Sequence, residues 1–232
     1  MTPLPGSLRQ LLAGARALLV LTVLLGLCYP LAMTGLAQGI FHGNANGSLA
    51  SENGRLVGSD LVGQAFTRPA TRDGHPVHDA SGAPVLVPDP AYFQSRPSAA
   101  GTGYDPRSSA ASNLAVDNPV LVRLVQQRRA AAAALDGVPA ARVAPDALLA
   151  SGSGLDPQIS PQYAQEQVPR IARVRGLPQQ RVRALVTGVE QGRSLGFLGE
   201  PRVNVLRLNL ALDNLALDNL AVDAVAKPDN RH

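Results

Sequence analysis

Four histidines, one cysteine and a few serines are the residues of this 232-residue chain best suited to chemistry, and their spacing gives them little to do. His75 and His78 stand three apart with Asp73 and Asp79 beside them. A functional metal centre needs a third strong ligand on a rigid scaffold, so adventitious binding is all this pattern offers. His42 and His232 are remote from that pair in sequence. Ser151 and Ser153 sit in Ser-Gly-Ser-Gly, which lacks the Gly-x-Ser-x-Gly elbow of a hydrolase nucleophile. The lone Cys28 excludes an internal disulfide framework and a Cys-rich zinc site. It lies in an apolar run, where it reads as an inert apolar filler. Lys227 is the sole lysine, which excludes a phosphate-loop lysine. No catalytic residue and no metal ligand is assigned.

Anion binding is the remaining chemistry. Gly101-Thr102-Gly103 and Ser151-Gly152-Ser153-Gly154 could present backbone N–H groups to a phosphate, although the default for such runs is a turn. Arg170, Arg173, Arg175, Arg181 and Arg183 form the densest basic cluster. Together these give one candidate nucleotide set: Ser151, Gly152, Ser153, Gly154, Arg170 and Arg173. The competing reading makes the arginines a solvated face, or a contact with acidic lipid or an acidic partner. Arg96 in Arg-Pro-Ser and Arg202 in Glu-Pro-Arg occupy rigid turns, where a structural ion pair is the simple expectation.

The elements that must carry these residues are uneven. Residues 55–66 can hold a short strand, 67–91 read as a long loop or hairpin insertion around Ala83–Val87, and 92–117 are rich in turn formers. Asn118-Pro119 is a cap followed by a favourable first helical residue, and Gly137 is a natural stop. On that helix Arg123, Gln127, Arg128 and Arg129 read as a solvated side. Ser160-Pro161 repeats the start signal for a helix running toward Gly176, with Pro169 expected to kink it. Pro178 opens a third helix with Val182, Leu185, Val186 and Val189 on one face. In 203–212, Leu206, Leu208, Leu210 and Leu212 recur at period two, which predicts a strand with its leucine side on the core. The following Leu-Ala-Leu-Asp-Asn repeat has period five, matching neither helix nor strand, and reads as a frayed extension.

Charge is distributed unevenly too. Residues 17–41 contain no Asp, Glu, Lys or Arg, long enough for a bilayer core although Pro30, Thr34, Gln38 and three glycines interrupt it, mostly in the second half. Three readings stay open: an uncleaved anchor kinked near Pro30, a cleaved signal with Gly35-Leu36-Ala37 as its site, and a lipoprotein signal at Cys28. The last is disfavoured by Leu27 in front of the cysteine. Arg9 and Arg16 precede the run and the next positive charge is Arg55, so all three readings place the N-terminus in the cytoplasm and later residues outside. The whole chain is 45% hydrophobic, much of it in this run, and 16% charged with a net charge of +4, which excludes a nucleic-acid-scale basic surface.

Taken together, several segments carry a resemblance. They are Tyr92-Phe93-Gln94-Ser95-Arg96-Pro97-Ser98, Ser151-Gly152-Ser153-Gly154-Leu155-Asp156-Pro157 through Ile159-Ser160-Pro161, Gln167-Val168-Pro169-Arg170, and 195–206, LGFLGEPRVNVL. From the apolar run to about Asp213 the sequence closely resembles the C subunit of the bacterial Kdp-type potassium-transporting ATPase. It departs from that family at Gln158, where His is usual, at Ser109–Ser112, at Gly188-Val189-Glu190, in the longer 67–91 segment and in the repeat tail. Two family histidines are thereby missing, so a mechanism that requires them is not expected here.

The resemblance implies an α+β protein: a cytoplasmic stretch 1–16, a transmembrane anchor 17–41 in the lipid bilayer of the bacterial inner membrane, a linker 42–54, a small periplasmic domain 55–213 and a tail 214–232. It implies an accessory, non-catalytic subunit with no cofactor of its own. Its partners would be a channel-like potassium-binding subunit, a P-type ATPase subunit and a small single-span subunit. The family is also described as a catalytic chaperone that raises ATP affinity of the ATPase subunit. A periplasmic domain cannot touch cytosolic ATP, so the favoured expectation is assembly and capping of the potassium-conducting subunit, with direct nucleotide contact as the alternative.

Overall fold

The structure, a computed structural model, describes residues 5–226, with side chains through residue 215. The chain divides after Leu49 into two units.

In the first unit, α1 (Gly6–Val23), a π-helical turn (Leu24–Cys28) and α2 (Tyr29–Ile40) form one helix of 35 residues, apolar enough to cross a membrane. Pro30 explains the π turn. It has no N–H to give and its ring crowds the carbonyl four residues back, so the backbone widens ahead of it. The Tyr29 N–H reaches Leu24 O, five residues back. A short turn, α3 (His42–Ala45), follows, and Asn46 donates its side-chain amide to His42 O at 2.7 Å. The segment expected as a plain linker is therefore ordered, and it continues into a hairpin.

The second unit opens with that hairpin, β1 (Leu49–Glu52) and β2 (Arg55–Ser59). Asn53 and Gly54 both have positive φ, 50° and 77°, the geometry that an Asn-Gly hairpin turn favours. The 67–91 insertion, read as a long loop or a hairpin, is a hairpin: β3 (Thr67–Pro69) pairs antiparallel with a later strand, Leu86–Pro88, and encloses β4 (Thr71–Arg72) and β5 (His75–Pro76). That later strand is β6. His75 and His78 are exposed within the insertion.

The helices start and stop where their caps direct. In α4 (Pro119–Asp136) the Asn118 side chain accepts from Val120 N, and in α5 (Pro161–Arg175) Ser160 Oγ accepts from Tyr163 N. Both end on a left-handed glycine, Gly137 and Gly176. Pro169 lies inside α5 without ending it. α6 (Gln179–Val189) follows Pro178 and buries Val182 and Val186 completely. The core gathers these with Val168 and Ile171 of α5, Phe93, Ala144 and Leu148.

The predicted strand at 203–212 is corrected. The only strand there is β8 (Val203–Asn204), paired antiparallel with β7 (Gln158–Ile159), and α7 (Val205–Ala226) begins at once. Asn204 is the cap: its Oδ1 accepts from Arg207 N at 3.1 Å while its amide donates to Asp60 O. Leucines at 208 and 212 are also spaced one helical turn apart, and Val205, Leu208 and Leu212 form the buried stripe. The repeat that read as a frayed extension is helical through Ala226, and 227–232 lie outside the described residues.

Between β6 and α4 the chain has no strand partner, and side chains supply one. The buried Asn209 of α7 accepts from Phe93 N at 2.9 Å and donates to Phe93 O at 3.0 Å. Gln167 of α5 does the same for Gln94, at 2.7 Å and 3.2 Å. Two amide side chains thus replace a β-ladder and satisfy backbone groups that burial would otherwise strand.

Near this region Glu166 accepts from Ala144 N through Oε2, whereas its buried Oε1 has no partner among the described residues. Burial, helped by the charges of Asp136 and Asp146, pushes its carboxyl above the usual range. An acid raised on folding makes the folded state hold its proton more tightly, so stability falls as pH rises from the ordinary glutamate value through the raised one. Glu166→Gln is expected to raise stability at pH 7 by about 0.5 kcal/mol, small because the half-buried group is screened by water. Urea midpoints between pH 4 and 8 check this, and a wild-type pH profile in the variant would overturn it.

Candidate functional site

The family-like turns converge on one cleft. It has a volume of about 500 Å³ and is lined by Arg96, Asp146, Asp156, Gln158, Ser160, Glu200 and Arg202, with Pro145, Leu149, Ile159, Gly199 and Pro201 between them. Pairing of β7 with β8 brings Gln158 opposite Asn204, and Arg96 reaches the same place through Asp156 and the Ser98–Gly154 hydrogen bond.

Each charged group is held differently. Arg96 Nη1 pairs with Asp156 Oδ2 at 3.3 Å, the ion pair its rigid turn suggested. Its Nε is buried and without a partner among the described residues. Asp156 Oδ1 also accepts from Gln158 N at 3.0 Å, the short-range turn that Asp-Pro-x sequences favour. Asp146 accepts from Ser160 N and, at 3.1 Å, from Ser160 Oγ, so one carboxylate braces the start of α5. Arg202 exchanges backbone hydrogen bonds with Gln191, at 2.8 and 2.9 Å, but no ion pair holds its guanidinium among the described residues. Tyr104 donates to Arg96 O at 2.7 Å, and burial raises its phenol to about 12, so it stays a donor at neutral pH.

The sequence-derived nucleotide set is not assembled in this cleft. The 151–154 segment is a turn that supports its neighbours: Ser153 O accepts from Ala110 N at 3.0 Å and from Ser109 Oγ at 2.9 Å, and Gly154 O accepts from Ser98 Oγ at 2.6 Å. Gly154 N bonds back to Ser151 O. Arg170 is 1% exposed and bound to Asp136, Gln167 and the carbonyls of Pro90 and Tyr92, so it presents no charge to solvent. Arg173 is exposed on α5. The expected solvated arginine face is corrected at two members. Arg170 is in the core, and Arg175 bridges to Asp213 at 2.7 Å while lying 4.5 Å over the Tyr92 ring. Arg128, read as solvated, is half-buried and donates to Leu148 O.

The sequence reading did not single out Asp156, Glu200 or Asp60 as functional groups. The Asp-Pro-x turn was a local signal for the first, but nothing local marks Asp60, whose partner Arg207 is distant in sequence.

A family model for the K+-transporting ATPase, c chain (KdpC), matches residues 11–214. Curated relatives agree. A potassium-transporting ATPase KdpC subunit of Kineococcus radiotolerans is 49% identical over 205 residues, covering 88% of this chain and 93% of the relative. One of Streptomyces coelicolor is 45% identical over 222 residues, covering 91% and 95%. One of Caulobacter vibrioides is 45% identical over 192 residues, covering 82% and 86%.

The chain belongs to the KdpC family. It is thereby a subunit of the Kdp potassium-transporting ATPase complex, with an accessory part in potassium transport. Within this KdpC chain, Gln158 lines the cleft, and Gly188-Val189-Glu190 falls at the end of α6. The family match ends at residue 214, one residue past Asp213, which ties α7 to Arg175.

Proposed function

We propose that this chain is an accessory subunit whose second unit lies on the outer, periplasmic side of the bacterial inner membrane, stabilises assembly, and caps the outer face of the potassium-conducting subunit. ATP and potassium are handled by its partners. The observation that carries this reading is charge asymmetry around an apolar helix in a KdpC chain. Arg9 and Arg16 precede the uncharged run 17–41, and no Lys or Arg follows before Arg55. The helix, at 35 residues, extends roughly 52 Å at 1.5 Å per residue, long enough to cross a core of ~30 Å with a basic turn to spare. The family match begins at residue 11 and includes the apolar run, which supports a retained anchor over a removed signal.

Any influence on ATP use then acts across the membrane, as a difference in affinity for two pump states. Protease added to the outer face of spheroplasts is expected to remove the second unit and leave a membrane-held N-terminal fragment. Protection of the whole chain overturns the topology. The mass of the native protein checks the anchor, since loss of residues before about 38 would mean cleavage.

A further inference from the structure

Residues 191–202 form a hairpin whose residues 191–200 are all exposed. Its stem is marked by antiparallel pairings of Gln191 with Arg202 and of Ser194 with Leu198. Its tip is Leu195-Gly196-Phe197-Leu198, where the chain leaves Leu195 83% and Phe197 69% exposed. Hairpin tips are normally polar. Here Leu195 is also held at φ +54°, a left-handed conformation that a branched, bulky residue rarely adopts. Strain maintained on a solvent-facing apolar residue points to use rather than to packing.

The hairpin joins structured elements at its base. Arg202 leads directly into β8 and α7, and the stem residues Gly199, Glu200, Pro201 and Arg202 form one wall of the cleft. Apolar knob and polar cleft are therefore one continuous surface, with an anchor beside polar groups, as protein interfaces are built. Most of the polar part is paired internally, but among the described residues the Arg202 guanidinium has no ion pair and Arg96 Nε has no hydrogen-bond partner.

We infer that the 191–202 hairpin docks another protein subunit of the complex, seating Leu195 and Phe197 in an apolar recess whose rim supplies a carboxylate to Arg202. Charge selects protein over lipid. A lipid-inserting tip carries an excess of basic residues for anionic headgroups. This stem carries a self-satisfied pair, Arg193 with Glu200 at 3.0 Å, and the cleft adds Asp146 and Asp156. Arg96, Arg193 and Arg202 against Asp146, Asp156 and Glu200 leave no net charge to draw an anionic surface, whereas mixed charge suits a matched partner.

The inference rests on the accessory-subunit reading. Its test places a photo-crosslinking benzophenone side chain at position 197 of the full chain, co-produced with its complex in native membranes, with position 122 on α4 as comparison. Irradiation at 197 is expected to join the chain to another protein subunit. Phe197→Asp is expected to lower recovery with a tagged partner subunit at least about tenfold, the effect of losing an aromatic anchor. Phe197→Leu should stay near wild type, and unfolding midpoints should be unchanged because the tip is solvated. Adducts with lipid alone overturn the inference. So do adducts from position 122 but not 197, which leave the accessory reading intact. Absence of adducts at both positions, while the chain still co-purifies, overturns this surface and outer-face capping together.

Discussion

Arg170→Met is expected to lower the unfolding free energy of the second unit by about 3–5 kcal/mol, the penalty of leaving a buried charge without its partner. Both members of the Arg170–Asp136 pair are 1% exposed, and they meet at 2.7 Å. The arginine also donates to Gln167 Oε1 and to the carbonyls of Pro90 and Tyr92. Removing it strands Asp136, whose Oδ2 already lacks a partner among the described residues, and takes one donor from each of two carbonyls, of which Tyr92 O keeps the Gln94 side-chain amide. It further releases Gln167, whose other bonds clamp Gln94. A loss of this size is a large fraction of the 5–15 kcal/mol that typical domains possess. Asp136→Asn should cost less, because the arginine keeps its other acceptors. Pairing Arg170→Met with Asp136→Leu should recover only part of the loss, since Pro90 O and Gln167 Oε1 still lose the donor that Arg170 supplied. Urea unfolding of the full chain in detergent, followed by circular dichroism, gives these values. A wild-type midpoint for Arg170→Met would show that the pair is not integral to the fold.

That same arginine marks the limit of what the sequence discloses. Asn118-Pro119, Ser160-Pro161, Gly137 and Gly176 were legible because a cap or stop is a local matter of backbone donors and permitted φ. The apolar, uncharged run was legible because bilayer thickness sets a length. Arg170 was not, because a charge inside an arginine-rich stretch reads as solvated until Asp136, 34 residues earlier, is placed against it. The leucines of 203–212 satisfied period two and a four-residue step together, and the deciding element was the Asn204 cap, which gains meaning only once β8 has paired with β7. The Asn53-Gly54 turn was a plain local signal that a linker reading passed over. The cleft is a tertiary fact: its turns were recognisable as family-like strings, while their convergence depended on the β7–β8 pairing and on long-range contacts such as Arg96 with Asp156 and Asp146 with Ser160. Potassium transport came from resemblance, not from any reactive residue.

Gly154→Ala should separate the structural from the ligand-binding reading of the Ser-Gly-Ser-Gly turn. Gly154 has φ +68°, and a Cβ there would lie 2.6 Å from Ala110 O and 2.7 Å from Ala100 N. Both atoms are backbone, so no rotamer change relieves the contact. Left-handed φ alone costs an L-residue about 1–2 kcal/mol, and overpacking typically adds about 1–3. A loss of at least ~3 kcal/mol is therefore expected. Gly152 provides the contrast: its φ is not positive and nothing lies within 4 Å of its added Cβ, so Gly152→Ala should change stability by less than about 0.5 kcal/mol. The damage at 154 should spread. Ser98 Oγ donates to Gly154 O and accepts from Ala100 N and Tyr104 N, while Tyr104 in turn fixes the carbonyl of Arg96. Displacing the turn thus loosens the arginine on one wall of the cleft, and less of the variant should be recovered with its complex. Equal midpoints for the two alanine variants would remove the structural role assigned to Gly154. A stable Gly152→Ala chain that loses saturable nucleotide binding present in the wild type would restore the turn as a ligand site.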